Sequence, residues 1–249
     1  MLRDIATAVR LLTIVPLGGV DGVHPARYFA LVGWLFATIA VGIASGAVWL
    51  GRADGLSALL AAAVVVASWA LLSGFLHWDG LADSADGLGV RGDAARRLEA
   101  MRGSTTGAFG VLAVVLVAAL QIAAIAVIIE SRAWWALGAA PIVGRWGAGM
   151  ALSLRDPARA DGLAARYAER EAGVGVAMLT LPVLPLLASA PDARGARVLA
   201  LAGALLVAFV VPGPFAKRFG GITGDVLGAT VLLGETAVLV GGALAGGLL

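Results

Sequence analysis

The chain is a succession of long, uniformly apolar runs separated by short polar breaks, with little of the period-two alternation that marks a half-buried strand. Crossing the hydrocarbon of a bilayer takes about 20 residues of helix, and runs of that order fall at 28–50, 55–78, 107–129, 133–152, 196–215 and 225–249. A shorter run at 174–190 holds Pro182 and Pro185 and is expected to kink. The fourth run is interrupted by Pro141 and Arg145. The predicted fold is therefore all-α, a polytopic integral membrane helical bundle with about seven transmembrane helices in one domain. The opening stretch, MLRDIATAVRLLTIVP, is too short and too interrupted for a cleavable signal, so it is expected to remain and to lie in the interface.

Composition sharpens the picture. Hydrophobic residues make up 60% of the 249, charged residues only 14%, and the mean hydropathy of +0.95 lies beyond the range of soluble domains. Thirty-five glycines suit helices that approach closely in lipid. A formal net charge of +2, spread over many loops, provides no nucleic-acid footprint. The lack of cysteine excludes disulfide and thiolate chemistry.

The basic residues also orient the bundle. On one side of the predicted topology lie Arg3, Arg10, Arg27, Arg91, Arg96, Arg97, Arg102, Arg155, Arg159, Arg166, Arg170, Lys217 and Arg218. The other side holds only Arg52, Arg132, Arg194 and Arg197. Because cytoplasmic loops are enriched in Lys and Arg, the N-terminus is expected in the cytoplasm and the C-terminus outside. The loops at 79–106 and 153–173 are then cytoplasmic.

Candidate chemistry gathers on that side. The stretch HWDGLADSADGL, from His77 to Leu88, carries three carboxylates at the end of an apolar run. At about 100° per residue, Asp83 lies about 40° from Asp79 on a helix, and Asp86 about 20° to the other side. Three like charges on one face repel unless protons or a cation neutralise them. Oxygen donors without cysteine favour Mg²⁺ or Mn²⁺ over zinc, so Asp79, Asp83 and Asp86 form a candidate metal site. His77 is either a structural hydrogen-bonding group or a participant, and Asp93 and Glu99 read as solvated loop charges.

A second cluster, KRFGGITGD, joins Lys217 and Arg218 to a glycine-rich turn at a helix start, where free N–H groups and the helix dipole favour phosphate. Asp225 either caps that helix or reaches the metal. Glu235, about three turns deeper, is an ionisable residue within a span, and Arg145 is its expected partner. Thr105 or Thr106 is expected to cap the helix of the third run, and Arg159 with Asp161 reads as a solvated ion pair. Acidic metal ligands, a phosphate-binding turn and arginines on one face suggest a membrane transferase acting on a pyrophosphate-linked substrate.

Taken in order, HWDGLADSADGLG, MRGSTTGAFG, the arginine of PIVGRWGA, PARADGLA and FGGITGDVLGATVLLGE resemble the cobalamin synthase family, the adenosylcobinamide-GDP ribazoletransferases, from about residue 10 to the last span. The resemblance implies a bacterial inner-membrane enzyme, active on the cytoplasmic face. It implies joining of α-ribazole or its 5′-phosphate to adenosylcobinamide-GDP with release of GMP, and a requirement for Mg²⁺. It places Asp79, Asp83 and Asp86 at the metal, makes Asp83, Asp225 and Arg145 catalytic candidates, and gives substrate contacts to His77, Arg102, Ser104, Arg159, Lys217, Arg218, Gly221, Thr223, Gly224 and Glu235. The bilayer is the expected surrounding partner, and a homo-oligomer is left open. Two motifs depart from the family's pattern: Gly103 and Thr105 stand where it has an acid and a base, and Thr13-Ile14-Val15-Pro16 lacks its arginine. Arg102 is a nearby substitute. The competing classes are a cation- or proton-coupled transporter using Glu235 and Arg145, and a CDP-alcohol phosphotransferase, whose Ala-Arg positions are Asp83 and Ser84 here.

Overall fold

A computed structural model describes residues 1–19, 21–51, 53–103, 105–168 and 194–246. The described residues are helical and contain no strand. An N-terminal helix α1 (Leu2–Leu12) precedes a short 3-10 turn, Pro25–Tyr28, that feeds α2 (Phe29–Trp49). There follow α3 (Gly55–Leu72), α4 (Leu76–Gly89), α5 (Ala94–Ala100), α6 (Ala108–Ser131), α7 (Trp134–Leu154) and α8 (Leu163–Tyr167). After residue 193 come α9 (Arg194–Val210), α10 (Pro212–Phe219) and α11 (Gly224–Gly246). The predicted run at 174–190 lies outside the described residues.

Five stretches among the described residues are long and apolar enough to cross a membrane: Pro25–Trp49, Gly55–Leu72, Ala108–Ser131, Leu201–Phe219 and Gly224–Gly246. Large apolar side chains stand exposed on the outer helices, among them Leu59, Leu60 and Val64 of α3 and Leu112, Leu116 and Leu120 of α6. In water such a belt would drive association; in a bilayer it is the lipid-facing surface. The chain is an all-α polytopic membrane protein.

Helix α7 is long enough to span but carries Arg145 and Pro141, and nearly all of it from Ala136 to Ser153 is buried. It packs chiefly against α11 and α2, so it faces protein rather than lipid and tolerates polarity that a peripheral helix would not. Small residues let its backbone approach α11 closely: a Cβ added at Gly144 would lie 2.5 Å from the Val231 carbonyl oxygen.

Two predicted spans are redrawn. The run at 55–78 is not one helix, because α3 closes at Leu72 with the Gly74 amide on the Leu71 carbonyl (2.9 Å) and the Phe75 amide on the Ala70 carbonyl (2.8 Å). This is the Schellman arrangement, with Gly74 at φ +58°. The predicted helix at 196–215 ends at Val210, and Pro212 opens α10, where its missing N–H costs nothing.

The bundle has two distinct ends. At one, the Gly55 amide donates to Glu130 (2.9 Å) and Gly246 packs against Ser131. At the other, the Ile14 amide donates to the Leu72 carbonyl (2.8 Å), while Asp21 accepts from Arg10, Arg166 and Tyr167 and so ties the loop after α1 to α8.

Candidate active site

The site sits at this second end and begins where α4 crosses α11. A Cβ at Gly80 would lie 2.7 Å from the Asp225 carbonyl oxygen, and one at Gly228 would lie 3.2 Å from the His77 Cα. Only glycine permits that approach, and it sets Asp79 and Asp83 of α4 beside Asp225 of α11. Arg97 holds the far end of α4 by donating to the otherwise orphaned carbonyls of Gly87 (3.1 Å) and Leu88 (2.9 Å). Burial, and then the charges of Asp79, Asp225 and Asp86, push the Asp83 carboxyl up to about 6, with Arg159 opposing.

Asp86 does different work. Its two oxygens accept from the Gly107 amide (2.6 Å) and the Gly110 amide (2.8 Å), so it caps α6 from a neighbouring helix. The expected Thr105 or Thr106 cap is therefore corrected: the N-cap residue is Gly107, which has no capping side chain of its own. A side chain at Gly107 or Gly110 would strike the Asp86 carboxylate at 2.5 Å. The three aspartates share a helix face, but Asp86 is already committed to backbone donors.

Two loops that are distant in sequence are stitched into the site by an isolated parallel bridge between Pro157 and Ile222. The Ala158 amide donates to the Ile222 carbonyl (2.8 Å) and the Ile222 amide to the Asp156 carbonyl (2.9 Å). Gly221, at φ +152°, allows it, since a Cβ there would lie 2.5 Å from the Ala158 nitrogen. The bridge brings Arg159 to the acidic cluster, where it donates to the Leu98 carbonyl (3.2 Å). It is not paired with Asp161 as expected; Asp161 instead meets Arg102 at 3.6 Å, both well exposed. Beyond the bridge, Thr223 caps α11 by accepting from the Val226 amide (3.2 Å), which leaves the Asp225 carboxylate free to accept from the Thr223 hydroxyl (3.1 Å).

Beside Asp225 lies a cavity of about 290 Å³, with His77, Arg159, Thr223 and Gly224 also in its wall. Arg145 and Glu235 lie outside that wall. They form a buried ion pair (2.7 Å; 1% and 2% exposed), with the Arg145 guanidinium also donating to the Pro141 carbonyl (3.1 Å) and lying 3.5 Å from the centroid of the Phe36 ring. The pair foreseen in the sequence is present, as a clamp between α7 and α11. Lys217 and Arg218 are exposed in the last turn of α10, outside the cavity and without an ion pair among the described residues. Ser104 lies outside the described residues. Sequence reasoning missed the cavity itself, which α1 and α2 help to wall through Leu12 and Phe29; only the one-sided apolar pattern of α1 hinted at a packed face.

No three Asp, Glu, His or Cys side chains among the described residues already converge on one ion position. Magnesium commonly takes one or two protein carboxylates and completes its shell with water and substrate phosphate. Asp79 and Asp83 fit that donor set, all oxygen, crowded enough that Asp83 is held near 6, and beside an arginine able to meet phosphate.

Fold and site together define a polytopic helical membrane protein whose polar chemistry is concentrated at one end, around carboxylates from two crossing helices. Comparison with known proteins then narrows the class. The chain belongs to the cobalamin-5-phosphate synthase family, whose profile matches residues 4–243. It is similar to proteins named adenosylcobinamide-GDP ribazoletransferase. That of Bradyrhizobium diazoefficiens is 35% identical over 251 residues, covering 96% of this chain and 93% of the relative. That of Azorhizobium caulinodans is 34% identical over 256 residues, covering 97% and 95%. One from Pseudomonas fluorescens reaches 40% over 222 residues, covering 87% and 86%. No solved structure matches the chain.

Proposed function

We propose that this chain is a membrane transferase that joins α-ribazole, or its 5′-phosphate, to adenosylcobinamide-GDP, releasing GMP and closing the nucleotide loop of cobalamin. The observation that carries this reading is the meeting of Asp79 and Asp83 with Asp225 beside a cavity and Arg159, in a chain whose relatives bear the name of that activity. In the reaction a ribose hydroxyl oxygen bonds to the phosphorus on the corrinoid side of the diphosphate, the P–O bond to GMP breaks, and GMP leaves with the bridging oxygen. Asp225, in the cavity wall and oriented by the Thr223 hydroxyl, takes the hydroxyl proton. Arg159 balances charge on the diphosphate oxygens. Asp79 and Asp83 would hold Mg²⁺, which when bound supplies neutralisation of the diphosphate charge. Arg145 acts at a distance from the reacting atoms, as a positioning residue that fixes α7 against α11 through Glu235. The site faces the cytoplasm in the bacterial inner membrane, on the side where the basic loops gather.

The test is GMP release by the purified chain given adenosylcobinamide-GDP, either acceptor and Mg²⁺, beside a metal-free control and Asp83→Asn. Metal-dependent release that Asp83→Asn abolishes, coupled to cobalamin or its phosphate, is the expected result; it also establishes that Gly103 and Thr105 are tolerated. A folded protein that releases no GMP with either acceptor overturns the reading.

A further inference from the structure

The cavity beside Asp225 has two unlike sides. Leu12, Phe29, Ile222, Leu227 and Val231 line it as buried apolar side chains, with Leu163 half-buried beside them, while Arg159 and Asp225 are half-buried and Asp161 is exposed. Two polar side chains are set into the buried wall: the Thr223 hydroxyl is bonded to Asp225 and to the Val226 amide, whereas His77 is 3% exposed and neither of its ring nitrogens has a hydrogen-bond partner among the described residues. Burying a polar group unpaired is costly, and the cost is relieved when a ligand supplies the missing partner.

Size and chemistry select the occupant. A cavity of about 290 Å³ admits a fused bicyclic ring and excludes a corrin macrocycle. Guanine, with donors and acceptors along most of its edge, would strand several of them against leucine, valine and phenylalanine. The base of ribazole is a benzimidazole, apolar along its carbocyclic edge and carrying one unsubstituted ring nitrogen. We propose that this cavity seats the aromatic base of the acceptor nucleoside, with His77 donating a ring N–H to the base's unsubstituted nitrogen. The inference rests on the transferase reading above and deepens it. Seated so, the base points its ribose toward the exposed side, where Asp225 receives the hydroxyl proton, and the corrinoid stays outside.

Binding, rather than turnover, tests this. Dissociation constants of α-ribazole, of its analogue with the unsubstituted ring nitrogen replaced by C–H, and of adenosylcobinamide-GDP are measured on the full chain in lipid nanodiscs, for the wild type, His77→Phe and Leu163→Trp. In the wild type the C–H analogue should bind about tenfold more weakly than α-ribazole, the loss of one hydrogen bond to a buried partner. His77→Phe should erase that discrimination, and Leu163→Trp, which fills the cavity, should weaken both acceptors at least about tenfold, with affinity for adenosylcobinamide-GDP unchanged in each variant. The wild-type comparison needs no substitution, and retained donor binding certifies folding. Equal wild-type affinity for the two acceptors, or a loss confined to adenosylcobinamide-GDP in Leu163→Trp, overturns the inference while leaving the transferase reading intact. A wild-type protein that binds neither α-ribazole nor adenosylcobinamide-GDP overturns both.

Discussion

At the scale of single residues, the acidic motif divides its labour in a way that spacing could not reveal. Helical geometry correctly placed Asp79, Asp83 and Asp86 on one face, but which neighbour each meets depends on where α6 and α11 pack, and that is tertiary information. Asp86 serves the α6 amides and Asp83 faces Asp79, Asp225 and Arg159. The two should therefore fail differently. Asp86→Ala is expected to lower stability by about 1–2 kcal/mol, the range for a lost helix cap, while leaving the Mg²⁺ concentration for half-maximal activity unchanged. Thermal unfolding in detergent and a metal titration read the two effects separately. The basic residues divide in the same way: Arg159→Ala should lower kcat by about 100-fold, as loss of a charge-stabilising donor does, whereas Lys217→Ala, exposed on α10, should change it little. Comparable losses in the two variants would return Lys217 to the substrate site.

The elements are held at the site by close crossings and by one buried ion pair. Arg145 and Glu235 are both nearly fully buried, so removing either leaves the other as an uncompensated charge inside the bundle. Arg145→Met or Glu235→Leu alone should destabilise the protein by about 3–5 kcal/mol, and the double variant should regain most of that. Thermal unfolding of the three variants checks it; a double variant no more stable than the singles would show that the pair does more than offset its own burial. This partnership was legible, because ionisable residues in apolar spans need partners and the chain offers few. The helical nature of the apolar runs and the small-residue contacts between them were legible too, since hydropathy and the abundance of glycine announce them. The break between α3 and α4 was less so. Its signal, Ser73-Gly74-Phe75, is three residues inside an apolar stretch, and a Schellman turn leaves hydropathy unaltered. The bridge joining Pro157 to Ile222 left no periodic trace at all, because two isolated backbone hydrogen bonds demand only that Gly221 lack a side chain.

For the whole molecule, the arrangement of charge makes a directional claim. The end that carries the site also carries Arg10, Arg91, Arg96, Arg97, Arg102, Arg155, Arg159, Arg166, Lys217 and Arg218, while Arg132 stands with Glu130 and Ser131 at the opposite end. The folded chain thus separates its basic residues along the bundle axis, and the positive-inside bias predicts that the end carrying the site faces the cytoplasm. The absence of native cysteine gives a clean test, since any single introduced thiol is the sole target of a maleimide. Ala95→Cys on α5, near the site, and Ser131→Cys at the far end are both exposed and leave every basic residue in place. In intact spheroplasts a membrane-impermeant maleimide should label Ser131→Cys alone, and Ala95→Cys should become reactive only after permeabilisation. The reverse pattern would put the carboxylates outside the cell, where a GDP-linked substrate does not accumulate, and would break the link between charge bias and function on which the orientation depends.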